Sequence, residues 1–137
     1  MALVAIGLLS LLAAILSGTA SLSGPRTVRV GELVTVKLSD LRAAGDYELF
    51  LVTPDNANAQ PGETTQCSAP ISGLEHAHGS ATFSGRVPAV LACHANLTPT
   101  GTRQVTPGPY QFQVYSPVGG HPNRHLANVI EAVRIEG

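Results

Sequence analysis

The chain has 137 residues, with ten Pro, fourteen Gly, only 12% charged side chains and a formal net charge of -1. Its eight basic residues are dispersed along the sequence, which excludes the concentrated positive field that a nucleic-acid surface requires. Setting aside an apolar leader of about two dozen residues leaves roughly 112, enough for one domain with its own core and too few for two.

The leader, MALVAIGLLSLLAAILSGTASLSG, carries no charged side chain. Ala2 to Leu22 is a run of 21 uncharged residues, about 31 Å long as a helix and thus able to span a bilayer. Gly18 and Ala20 fit the small-residue positions of a signal-peptidase cut after Ala20. No Lys or Arg precedes the run, however, and its apolar part is long for a signal peptide. The expectation is one N-terminal transmembrane α-helix over residues 1–24, acting as an uncleaved signal anchor. Arg26 and Arg29 follow the run, which by the positive-inside rule would hold the rest of the chain inside. The cysteine pair and the strand-rich remainder outweigh that argument and place residues 25–137 outside, as a periplasmic or extracellular domain. Gly7, Ser10, Ala14 and Ser17 recur at small-residue spacing and form a face on which the helix would pack against other spans.

After Pro25 the pattern changes to alternation. Val28 and Val30 share one face of TVRV, Gly31 marks a turn, and Val34, Val36 and Leu38 share one face of ELVTVKL. In DYELFLVTP, Tyr47, Leu49 and Leu51 lie on one face and Phe50 and Val52 on the other, which predicts a central strand buried on both sides. Residues 55–79 read as a long polar loop with one short strand near Ile71. A strand follows from Ala81 to Val87, then an apolar run to Cys93. PGPYQFQVYSP alternates most regularly, with Tyr110, Phe112 and Val114 inward and Gln111 and Gln113 outward. A second long loop covers residues 116–127, and the last strand runs from Asn128 to Glu136. Six to eight short strands are predicted, and a two-sheet antiparallel sandwich is the common way to bury them.

Cys67 and Cys93, with 25 residues between them, fit neither a metal knuckle nor a C-x-x-C redox motif. A structural disulfide is the expectation, with two unrelated buried thiols as the alternative.

The stretches VGELVTVKL, GDYELFLVTP and TPGPYQFQVYSP resemble early, middle and late strands of immunoglobulin-like and fibronectin type III-like sandwiches. Tyr110 after Pro107-Gly108 is similar to the tyrosine corner of those folds, a resemblance that implies a hydroxyl bonded back to the upstream chain. The chain has no Trp, so the immunoglobulin Cys-Trp-Cys arrangement is incomplete. The fold class implied is all-β, an antiparallel two-sheet immunoglobulin-like sandwich behind one helix, and the likeness implies no enzyme activity.

Catalytic equipment is not found. The nine carboxylates stand in no pairing motif, and no G-x-S-x-G elbow, phosphate-binding Gly loop or H-E-x-x-H occurs. The metal candidates are His76 and His78 in EHAHG with His121 and His125 in HPNRH. Loop histidines in a Gly-rich segment are ordinarily solvated, and no cofactor is expected. Asn96 heads an NLT sequon. Six aromatic residues, most at inward positions, argue against an exposed glycan-binding platform.

The function expected from these residues is a non-catalytic accessory or structural subunit of a larger membrane complex, respiratory or photosynthetic in type. It would be single-pass, with integral-membrane subunits and lipid as partners and no nucleic acid. One alternative is a pilus, filament or surface-layer protomer. The other is a secreted ligand- or metal-binding module released by cleavage at Ala20.

Overall fold

The structure is a computed structural model that describes residues 20–42, 44–54, 65–95, 98–118 and 121–137, the last of these and residues 65, 117 and 118 partly as backbone alone. Eleven strands form among the described residues: β1 Ser21–Ser23, β2 Thr27–Arg29, β3 Leu33–Ser39, β4 Gly45–Val52, β5 Thr65–Pro70, β6 Glu75–Ala77, β7 Ala81–Arg86, β8 Val90–Ala95, β9 Thr98–Gln104, β10 Gly108–Val118 and β11 His121–Glu136. They build two sheets. The smaller has the order β1-β3-β7, and the larger runs β2-β11-β10-β4-β5-β8-β9 with β6 added to β4. All pairs are antiparallel except β2 with β11.

Alternation places the core between the sheets. From the smaller sheet come Leu22, Val34, Val36, Leu38 and Phe83; from the larger come Tyr47, Leu49, Leu51, Leu91, Phe112, Val114, Val133 and Ile135, all buried in one cluster. Residues Thr35 and Lys37 of β3 face water, so the small sheet has one wet side and one dry side. The Gly31 turn has φ of 84°, a left-handed conformation that glycine adopts at little cost.

Of the segment expected as a helix, residues 20–24 are described, and they are not helical. Ser21–Ser23 is a strand paired with Ser39, Leu38 and Lys37, Leu22 is buried and Ala20 packs against the core. A Cβ on Gly24 would stand 2.9 Å from Val36 Cγ2. Residues 20–24 therefore belong to the sandwich, because their backbone completes the edge of the smaller sheet. The rest of the leader, with Gly7, Ser10, Ala14 and Ser17, lies outside the described residues, among which no helix is long and apolar enough to cross a membrane.

Three other expectations change. Residues 55–79 do not form one loop: Cys67 sits within β5, β6 follows, and Ile71 lies between them. The expected loop at 116–127 is mostly strand, since β10 and β11 form a long hairpin in which Val118 pairs with His121, Ser116 with Arg124 and Tyr115 with His125. Strand β9 is an element that the sequence pattern does not announce, since every one of its seven residues is exposed and no alternation marks it.

A candidate binding face on the larger sheet

The disulfide is present. Cys67 and Cys93 are direct partners in the β5–β8 ladder and are bonded to each other with Cα atoms 4.0 Å apart. The bond therefore staples neighbouring strands of one sheet rather than joining the two sheets. Thr53 extends the same support: its N–H donates to the Cys67 carbonyl at 2.9 Å, and its Oγ1 accepts from the Cys67 N–H at 3.0 Å. Tyr110 is buried, and its hydroxyl donates to the Thr106 carbonyl at 3.0 Å while accepting from the Thr106 N–H at 3.1 Å. This pair of bonds closes the 106–110 turn that leads into β10.

The histidines do not converge among the described residues. His76 Nδ1 lies 3.1 Å from Asp46 Oδ1 in an exposed pair, a direct consequence of the Asp46–His76 register between β4 and β6. His78 and His94 are exposed, and Ala77 between His76 and His78 is fully buried. His121 and His125 lie on β11, with side chains outside the described residues. No group of three or more His, Cys, Asp or Glu suited to a metal ion occurs among the described residues.

The distinctive chemistry lies on the side of the larger sheet turned away from the core. There β10 carries Gln111, Gln113 and Tyr115, and the neighbouring β4 carries Val52, Phe50 and Glu48 directly opposite them. Strand parity points all six away from Leu49, Leu51, Phe112 and Val114. Even so, Val52 is 0% exposed and Gln113 is 2% exposed, and the other four are half-buried. An ordinary solvent-facing sheet surface would leave such residues wet.

The polar groups are linked in series. The Tyr115 hydroxyl donates to Gln113 Oε1 at 3.0 Å, and Gln113 Nε2 donates to Gln111 Oε1 at 2.8 Å. This satisfies both ends of a buried amide, which would otherwise be costly to place away from water. The Phe50 and Tyr115 rings meet edge to face at a centroid distance of 4.8 Å and an interplanar angle of 61°, a favourable arrangement for their quadrupoles. Across from Tyr115, burial pushes the Glu48 carboxyl above its usual range. The set offers an aromatic edge, fixed amides and a carboxyl whose hold on its proton is strengthened by burial.

The two-sided burial of β4 is as the sequence pattern predicts, whereas Gln113 is buried and Gln111 half-buried instead of facing solvent. The signal for the face was the absence of a polar side in YELFLV. Alternation alone does not show that Gln113 is withdrawn from water and held by Gln111 and Tyr115 of its own strand.

No protein-family model matches the chain, and no curated protein matches it. A solved structure, macromomycin, aligns with 79% of this chain and 97% of its own at 19% identity and a TM-score of 0.48.

Proposed function

We propose that the protein is an extracytoplasmic, non-catalytic binding module with an immunoglobulin-like arrangement of strands, and that it works through the outer face of β4 and β10. The observation that carries this reading is the edge-to-face pair of Phe50 and Tyr115, both still partly exposed on the side opposite the core. A sheet surface that keeps an ordered amide series and an aromatic pair partly dry is prepared for contact at small further cost in ordering.

The release of this module by cleavage after Ala20 is supported by the start of β1 at Ser21. A cut at that bond leaves every strand whole. With residues 20–24 in the sandwich, the apolar run available to a membrane shortens to Ala2–Thr19, 18 residues, or about 27 Å as a helix against a hydrocarbon layer of about 30 Å.

A second reading keeps the leader and makes the module an anchored accessory subunit beside integral-membrane partners. Gly7, Ser10, Ala14 and Ser17, at small-residue spacing, favour it, since they would then pack the helix. Under this reading, a span formed by Ala2–Thr19 would leave almost no linker before β1 at Ser21.

Expression with the leader in an exporting host, followed by intact-mass measurement, separates the two. A product beginning at Ser21 is the expected result; a product retaining residues 1–20 and co-migrating with a large membrane complex supports the anchored subunit instead. Crosslinking in the native host should then capture a partner through the wild-type face and lose it in Phe50→Ser and Tyr115→Ser. Capture that is insensitive to both substitutions would remove the outer face from the proposal.

A further inference from the structure

The strand registers lay out the outer face of the larger sheet row by row, because partners in an antiparallel ladder present their side chains on the same side. Ala132, Gln111, Val52, Ser68, Ala92 and Thr102 are successive partners across six strands, from β11 to β9. The next row, Ile130, Gln113, Phe50 and Pro70, crosses four. Neither row contains a charged residue. Ala132, Ala92, Pro70 and Ile130 are nevertheless exposed. The outer side of the smaller sheet differs, since it presents Lys37 and Arg86 to water.

Among the described side chains, charge on the outer face is confined to the two ends of its strands. Along β11, Arg134 stands two rows to one side of the Ile130–Phe50 row; along β4, Asp46 stands two rows to the other side, with Glu48 between. Arg134 and Asp46 are both exposed. Arg26 adds a second cation at the Arg134 end, where the two line one groove beside Pro109. Glu131 of that groove belongs to the inward side, as the partner of Phe112. Farther along, Arg29 and Glu136 are register partners and offset each other. The face is thus positive at one end, negative at the other and uncharged between.

We infer that this face is the contact surface between two copies of the chain, related by a two-fold axis that crosses the strands at the level of Phe50. The inference rests on the proposed use of the face and names its occupant. Of the two axes that lie in the plane of the sheet, one along the strands would set the Arg134 end over its own counterpart, which like charges oppose. An axis across the strands exchanges the ends. Arg134 and Arg26 of one copy then lie at the level of Asp46 in the other, since Arg134 and Asp46 are equally far from Phe50. Strands β11 and β4 are two spacings apart, about 10 Å, which is within the range of Coulomb attraction at ordinary salt. The uncharged rows meet each other, and Ile130 and Pro70 face their own counterparts. Such a contact is isologous and closes at two copies.

The test uses the product purified from the exporting host, in neutral detergent if it retains residues 1–20. Sedimentation velocity over about 1 μM to 1 mM, the range of weak reversible contacts, should show a monomer–dimer equilibrium. Ala132→Glu, at an exposed position, should raise the dissociation constant about tenfold or more, whereas Lys37→Glu should leave it unchanged. Arg134→Glu and Asp46→Arg should each weaken the dimer. The double variant R134E/D46R should recover to within about threefold of wild type, which damage to the fold would not allow. Ile130→Cys should be joined to its counterpart by a short bismaleimide, and Arg134→Cys should not. In the wild-type protein, amide NMR shifts on dilution should centre on residues 48–52, 111–115 and 130–134, a readout that needs no variant. A monomer at every concentration, association indifferent to Ala132→Glu as packing through the leader would be, or no recovery in the double variant overturns the inference. A monomer whose capture in the native host is still lost in Phe50→Ser overturns the second copy alone and leaves the reading of the face standing.

Discussion

Gly85 of β7 lies directly beneath the carbonyl group of Ile71, so close that a Cβ at residue 85 would overlap the carbonyl oxygen and stand 3.1 Å from Ile71 Cγ2. Ile71 is itself fixed to the larger sheet, its N–H donating to the Leu49 carbonyl at 2.8 Å. The missing side chain at Gly85 therefore sets how near the smaller sheet can approach the margin of the larger. Because the obstructing atom is backbone, no rotamer change relieves the clash. Gly85→Ala should cost about 3 kcal/mol, read as a lower urea midpoint. An unchanged midpoint would show that the sheets can separate there freely.

Tyr110→Phe removes a hydroxyl that both donates to and accepts from Thr106. The ring remains and the core volume is unchanged, so the loss isolates two hydrogen bonds at a partly buried turn. The expected destabilisation is about 1–2 kcal/mol, measured by urea unfolding. A cost near zero would mean that water replaces the hydroxyl at the turn.

Removing the Cys67–Cys93 bond frees a loop with a sequence separation of 26. In the chain-entropy description this closure contributes about 3–4 kcal/mol, a large part of the stability of a small domain. The double variant C67A/C93A and the reduced wild-type protein should show the same lowered urea midpoint. A wild-type protein whose midpoint does not respond to reductant would show that the staple adds little beyond the β5–β8 ladder and Thr53.

How far the fold could be read in advance depended on where each strand lies. Strands β3, β4 and β10 declared themselves through alternation because each has a face against the core, and the inward sets Val34–Val36–Leu38, Leu49–Leu51 and Phe112–Val114 are those the structure buries. Strand β9 lies at the edge of the larger sheet, with Pro99 and Gly101 in its course. With both sides in water, its side chains carry no period. The β10–β11 pairing has a weaker sequence signal, Gly119-Gly120 between two flanking segments without regular alternation.

Glu48 makes the outer face of β4 sensitive to pH. Burial raises its carboxyl above the usual range, so the folded chain holds this proton more tightly than the unfolded chain. Through the window between the ordinary carboxylate value and the raised one, the folded state carries more protons, and linkage makes stability fall as pH rises. Ionised Glu48 thus costs stability at neutral pH, and the cost disappears on acidification below that window. Glu48→Gln abolishes the titration while keeping a side chain of similar shape. The variant should be more stable than wild type at about pH 7, and the difference should close towards about pH 4; paired urea midpoints across that range provide the check. The other carboxylates contribute equally to both proteins and cancel in the comparison. A difference that widens on acidification would show that Glu48 is stabilised as the anion, by a partner on the same face. On the proposed contact surface the same physics predicts a signature of binding. A partner that covers β4 and β10 removes more water from Glu48 and raises it further, so complex formation takes up a proton and weakens as pH rises through that window.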